Sequence, residues 1–120
     1  MPHCQVEYTA NLRGDADIPG LLGKIAAKYR DSGGGLPVFG VRVRAIELAD
    51  YVVNEGDPTD AFVHATCVIA PGRPEAFRRA FFGEMFEILK AHLAPAAKGR
   101  FLGVSLDVVE GGAGSYKFSF

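Results

Sequence analysis

No apolar run in this chain approaches the ~20 residues needed to span a bilayer, so the sequence offers no membrane-spanning helix. The opening Met-Pro-His-Cys-Gln carries neither a basic nor an apolar segment, so no export signal is legible and a soluble, cytoplasmic protein is expected. Lys and Arg number 13 against 14 Asp and Glu, and they are scattered. Without a basic stripe, nucleic acid is not an expected partner. Cysteine occurs only at Cys4 and Cys67, far apart in no recognisable spacing; the two could pair, but buried free thiols are the expectation. His3, His64 and His92 lack metal-ligand spacing. The glycines at 33–35 lack the Lys-Ser/Thr ending of a phosphate loop and follow a helical segment instead of opening one. There is no Gly-x-Ser-x-Gly elbow, and Ser32, Ser105, Ser115 and Ser119 have no base near them in sequence.

What is present is enough core for one domain, and a repeated plan. Hydrophobic residues make up 48% of the 120 residues, which excludes disorder and fits a single domain over 1–120. Residues 3–10 alternate as a strand, with His3, Gln5 and Glu7 on one face and Cys4, Val6 and Tyr8 on the other. After a turn, Asp15 or Asp17 can cap a helix that Pro19 tolerates in its first turn, and Leu21, Leu22, Ile25, Ala26 and Tyr29 give it an apolar stripe. The glycines at 33–35 stop it. Residues 38–48 read as a strand, with Val41, Val43 and Ala45 alternating against Arg42, Arg44 and Ile46.

Past a turn at residues 54–59 the same order recurs. A strand over 61–70 places Ala61, Val63, Ala65, Cys67 and Ile69 on one apolar face. A helix opening at Pro74-Glu75 presents Phe77, Phe81, Phe82, Met85, Ile88, Leu89 and Leu93 and fades near Pro95. Residues 101–110 form another strand, and residues 116–120 a short terminal one after a glycine turn. The expected class is α+β: tandem βαβ-βαβ units, each with parallel strands, in a four-stranded mixed sheet with both helices on one face. The other face, with Phe62, His64, Thr66 and Val68, is too apolar for open water and too polar for a core. It is expected to pack against neighbouring subunits in a closed ring, with the terminal strand as an arm to a neighbour's sheet edge.

Two features can carry chemistry. Pro2 follows the initiator Met, which is usually removed before proline, leaving a secondary amine no side chain can supply. Burial and nearby guanidinium groups would lower its pKa toward neutrality, where a general base works best. Position 2 alone does not separate this from an incidental proline. Arg42 and Arg44, two apart in a strand, share a face, and Arg73 sits in a Pro-Gly-Arg-Pro turn at a helix start, where the dipole favours an anion. Such a set suits a substrate with more than one carboxylate; the other reading is solvated surface arginines.

Taken together, four segments resemble a known family. Pro2-His3-x-x-x-Glu7-x-Thr9-x-Asn11-Leu12, Ile18-Pro19-Gly20-Leu21, Gly40-Val41-Arg42-Val43-Arg44, and Ala61-Phe62-Val63-His64-Ala65-Thr66 leading to Gly72-Arg73 are similar to 5-carboxymethyl-2-hydroxymuconate Δ-isomerases, in order, over residues 2 to about 106. That family lies in the tautomerase superfamily. The resemblance implies a homotrimer with sites near subunit interfaces, no cofactor, and Pro2 as the base. Arg42 and Arg73 would bind carboxylate and polarise the enol, with Arg44 the same-face second choice. The implied reaction is a 1,3-proton transfer in a conjugated 2-hydroxymuconate, a di- or tricarboxylate, during bacterial homoprotocatechuate breakdown. Pro2 would take the 2-hydroxyl proton and return it to C5. Rival readings are another tautomerase-superfamily activity on a 2-keto acid or dienol, or a non-enzymatic trimeric binding module. The glycine-rich residues 110–120 do not match the family pattern.

Overall fold

Alternating burial decides where the strands lie. In β3 (Ala61–Ile69), Ala61, Val63, Ala65, Cys67 and Ile69 are buried and the residues between them half-buried, the two-residue period of a strand covered on one side. β1 (His3–Thr9) buries Cys4 and Val6 and leaves His3, Gln5 and Glu7 half-covered. β2 (Arg42–Leu48) and β4 (Leu102–Glu110) flank them. The computed structural model describes residues 2–32, 36, 39–112 and 114–120. It orders the four strands β2-β1-β3-β4, with β1–β2 and β3–β4 parallel and β1–β3 antiparallel. The mixed sheet expected from two βαβ units is therefore present, with the antiparallel pairing at its centre.

α1 (Ile18–Arg30) and α2 (Glu75–Leu93) supply the second layer. Of the two candidate caps, Asp17 is the one used: its carboxylate accepts the Gly20 N–H at 3.2 Å. A Cβ at position 20 would collide with that carboxylate, so glycine is what lets the cap close. Asp15 instead pairs with Arg100 at 2.6 Å. α1 buries Ile18, Leu21, Ile25 and Tyr29, and α2 buries Phe81, Phe82, Met85, Leu89 and Leu93, in each case along one stripe. Phe77 and Ile88, expected in the same stripe, are half-buried. Each fully buried Leu or Ile contributes about 1.5–3 kcal/mol relative to exposure. α2 ends at Leu93, and Pro95 falls in a short 3-10 turn (Ala94–Ala97). Among the described residues, no helix is long and apolar enough to cross a membrane.

Three expectations need amendment. The strand read over 38–48 begins at Arg42; Phe39 and Gly40 form a turn, with Gly40 at φ +85°, and Val38 lies outside the described residues. The glycines at 33–35, read as the stop of α1, also lie outside them. Residues 116–120 form no strand. Tyr116, Phe118 and Phe120 alternate as strand residues do, but no neighbouring strand of this chain pairs with them, and they stand exposed at 95%, 76% and 118%. Without a ladder partner, alternation alone does not make a strand.

Candidate active site

Strand direction gathers the candidate residues at one end of the sheet. β1 and β3 run antiparallel with His3 opposite Val68, so the start of β1 lies beside the end of β3. β2 follows β1 in parallel (His3 opposite Arg42), and β4 follows β3 (Ile69 opposite Glu110), so the start of β2 and the end of β4 share that end. The loop carrying Arg73 leaves β3 there. α2, which follows it, is tied to the end of β4 by the Arg78–Glu110 ion pair at 2.8 Å.

Pro2 stands one residue before β1 with its ring fully buried, and its carbonyl accepts the Arg42 N–H at 3.3 Å. Burial of this kind disfavours a charged amine. Arg42 opens β2 with its side chain exposed on the face that the helices leave bare. Arg44 lies on the same face, one pleat further from Pro2, which is about 7 Å along a strand. Its Nη1 lies 3.3 Å from His3 Nδ1 and its Nη2 donates to Gln5 Oε1 at 3.3 Å. Arg73 is half-buried and donates through Nη1 to the Ala70 carbonyl at 3.2 Å. Pro74 caps α2 without a side-chain hydrogen bond. The structure thus brings Pro2 and Arg42 into backbone contact, sets Arg44 beside them, and puts Arg73 at the same end.

His3 is a member of this group that attention to metal-ligand spacing passed over. Burial first, then the charges of Arg44, Arg42 and Lys117, hold its imidazole below the ordinary histidine value of 6.5. The signal was in the sequence, since His3 alternates with Cys4 and shares a face with Gln5, but its partners depend on the β1–β2 register.

The bare face holds a second polar group. His64 Nδ1 lies 2.6 Å from Ser105 Oγ, and His64 Nε2 lies 3.4 Å from Asp107 Oδ2. Ser105 lacks a base nearby in sequence, and the parallel pairing of His64 with Ser105 supplies one in space. Among the described residues, no three His, Cys, Asp or Glu side chains come together as a metal cluster.

A family model described as 5-carboxymethyl-2-hydroxymuconate isomerase matches residues 2–119. The 5-carboxymethyl-2-hydroxymuconate Delta-isomerase of Escherichia coli is 33% identical over 110 residues, 92% of this chain and 86% of that one. The crystal structure of a 5-carboxymethyl-2-hydroxymuconate isomerase from Deinococcus radiodurans R1 superposes with a TM-score of 0.94 at 34% identity, covering 99% of this chain and 90% of that chain. A fused 4-OT wild type symmetric trimer shares the fold, with a TM-score of 0.66 at 15% identity, covering 90% of this chain and 85% of that chain. The match to residue 119 extends the resemblance through the glycine-rich end.

Proposed function

This chain belongs to the 5-carboxymethyl-2-hydroxymuconate isomerase family, in the tautomerase superfamily, and from that membership we propose that it isomerises 5-carboxymethyl-2-hydroxymuconate with Pro2 as general base. The reaction is a proton transfer across the conjugated dienol, from the 2-hydroxyl to C5, within homoprotocatechuate breakdown. Once Met1 is removed, the Pro2 nitrogen is a secondary amine with a basic lone pair. While Met1 remains attached it is an amide without one. The free amine accepts the 2-hydroxyl proton and delivers it to C5, which converts the dienol to the ketone. No atom is gained or lost, and no cofactor is called for.

The arginines handle the charge. Arg42 is the first choice for a substrate carboxylate, because it is exposed, its backbone bonds to Pro2, and no side chain among the described residues is bonded to its guanidinium. Arg73, at the α2 start, stabilises negative charge developing on the 2-oxygen. Removing one donor of this type costs on the order of 3 kcal/mol of barrier. Arg44 acts from one pleat away.

The assembly proposed is a homotrimer in which the bare sheet faces pack together, with sites near subunit interfaces. The symmetric trimer formed by the fused 4-OT protein supports this. So do the exposed apolar groups on or beside that face: Ile46 and Val109 are 43% and 46% exposed.

The single observation that carries the reading is the buried Pro2 bonded through its carbonyl to Arg42 at one end of the sheet. Intact-mass analysis of natively expressed protein should show loss of Met1. Pro2→Ala should then lower kcat by about 10²–10⁴-fold, the range of general acid–base catalysis, while the sedimentation of the trimer is unchanged. Turnover by Pro2→Ala at the wild-type rate would remove the base assignment.

A further inference from the structure

Two histidines in this molecule meet a cation through the same ring atom. His92 Nδ1 lies 2.9 Å from Lys24 Nζ, and its Nε2 lies 2.9 Å from both the Ala16 and the Asp17 carbonyl oxygens. An ammonium only donates and a carbonyl only accepts, so His92 is the Nε2–H tautomer with both ring nitrogens spent on the frame between α1 and α2. His3 repeats the first half of that arrangement. Its Nδ1 faces Arg44 Nη1 at 3.3 Å, and a guanidinium has no acceptor, so Nδ1 must be the acceptor and the proton sits on Nε2. The second half differs: among the described residues His3 Nε2 bonds to nothing, so the ring is tied only to a site residue.

Arg44 is held from the other side as well. Gln5 Nε2 donates to Glu7 Oε1 at 3.5 Å, which turns the Gln5 amide so that its Oε1 receives Arg44 Nη2. A guanidinium fixed at two nitrogens loses less freedom when an anion arrives. Arg42, two residues earlier on the same face, has no such brace, so the two arginines are a fixed and an adjustable donor side by side.

We propose that His3 is a positioning residue: as a neutral Nε2–H imidazole it fixes the Arg44 guanidinium through Nδ1, and so shapes a two-arginine seat for a substrate carboxylate next to Pro2. This rests on the site reading above and adds to it the residue that orients Arg44. The charged groups facing His3 are Arg44 and Arg42 from β2, the amino terminus of the chain, and Lys117 from the C-terminal segment, all cationic when protonated, while its partner on β3 is the uncharged Val68. Burial and those cations oppose protonation of the ring. A proton on Nδ1 would set N–H against N–H and release Arg44.

The test uses the purified protein, its histidine ring nitrogens followed by 15N NMR and cis,cis-muconate as a dicarboxylate that binds without turnover. His3 should show the Nε2–H tautomer and titrate below 6.5, the ordinary histidine value. His3→Ala should weaken muconate binding roughly tenfold, the equivalent of one lost hydrogen bond to a charged group. His3→Asn, whose Oδ1 can take the place of Nδ1 but cannot titrate, should restore binding and remove its pH dependence near the histidine range. An Nδ1–H tautomer, wild-type affinity in His3→Ala, or His3→Asn as weak as His3→Ala would each overturn the proposal. Failure of the site reading looks different: His3 keeps the Nε2–H tautomer while wild type and variants alike ignore muconate, and the carboxylate seat falls with it.

Discussion

The two faces of the sheet are built from alternate residues of the same strands, yet they obey opposite rules. On the helix-covered face stand Cys4, Val6, Val63, Ala65 and Cys67, all fully buried. On the bare face, one residue away from each, stand His3, Gln5, His64 and Thr66, all only half-covered. Even the cysteines follow the first rule. Cys4 and Cys67 sit opposite each other across β1 and β3 with their sulfurs 3.4 Å apart, free and buried. The contact with Cys67 and burial push the Cys4 thiol up, so it stays protonated and packs as a small apolar group. The covered face gets its specificity from shape, and the bare face from charge.

The comparison breaks most visibly on the covered face. Val63→Asp would place an unpaired carboxylate at a fully buried position, at a cost of about 3–5 kcal/mol, as for an uncompensated buried charge. The urea midpoint should fall sharply or the protein should fail to fold; an unchanged midpoint would mean that this face is not a core. A smaller effect is expected on the other face. Arg42→Ala should leave the unfolding free energy within about 0.5 kcal/mol of wild type, as surface changes do, and Arg73→Ala, which also loses the bond to the Ala70 carbonyl, should cost about 1 kcal/mol more. Each should raise the KM of a dicarboxylate dienol roughly tenfold or more, the worth of a charged hydrogen bond, and that of its monocarboxylate analogue much less. Equal losses on both substrates would make the arginine a structural residue.

How much of this was legible in the sequence differs with the length of the pattern. β3 runs for 9 residues with unbroken alternation, so its buried face could be read residue by residue. α1 announced its start through Asp17 and Pro19, since caps are local chemistry. β2 was read too early because Val41 continues its alternation backward, while the turn at Phe39 and Gly40 depends on backbone geometry that spacing does not encode. The terminal Tyr116, Phe118 and Phe120 carry a strand pattern, but a strand also needs a partner, and pairing is not local.

The site divides in the same way. That Arg42 and Arg44 share a face follows from parity. That Arg44 is braced by His3 and Gln5 while Arg42 is not follows only from the register of β1 against β2. The meeting of His64, Ser105 and Asp107 likewise needed the β3–β4 register. Pro2 was visible by position alone. Its burial and its bond to the Arg42 backbone came from the fold.

Catalysis in this account depends on an amine that the fold keeps uncharged. The direct measurement is a 15N NMR titration of the Pro2 nitrogen in protein lacking Met1, set against an unfolded peptide with the same first residues. A midpoint well below that of the peptide, moving back up in Arg42→Ala as a neighbouring cation is removed, is the result predicted. A midpoint equal to or above that of the peptide would contradict it.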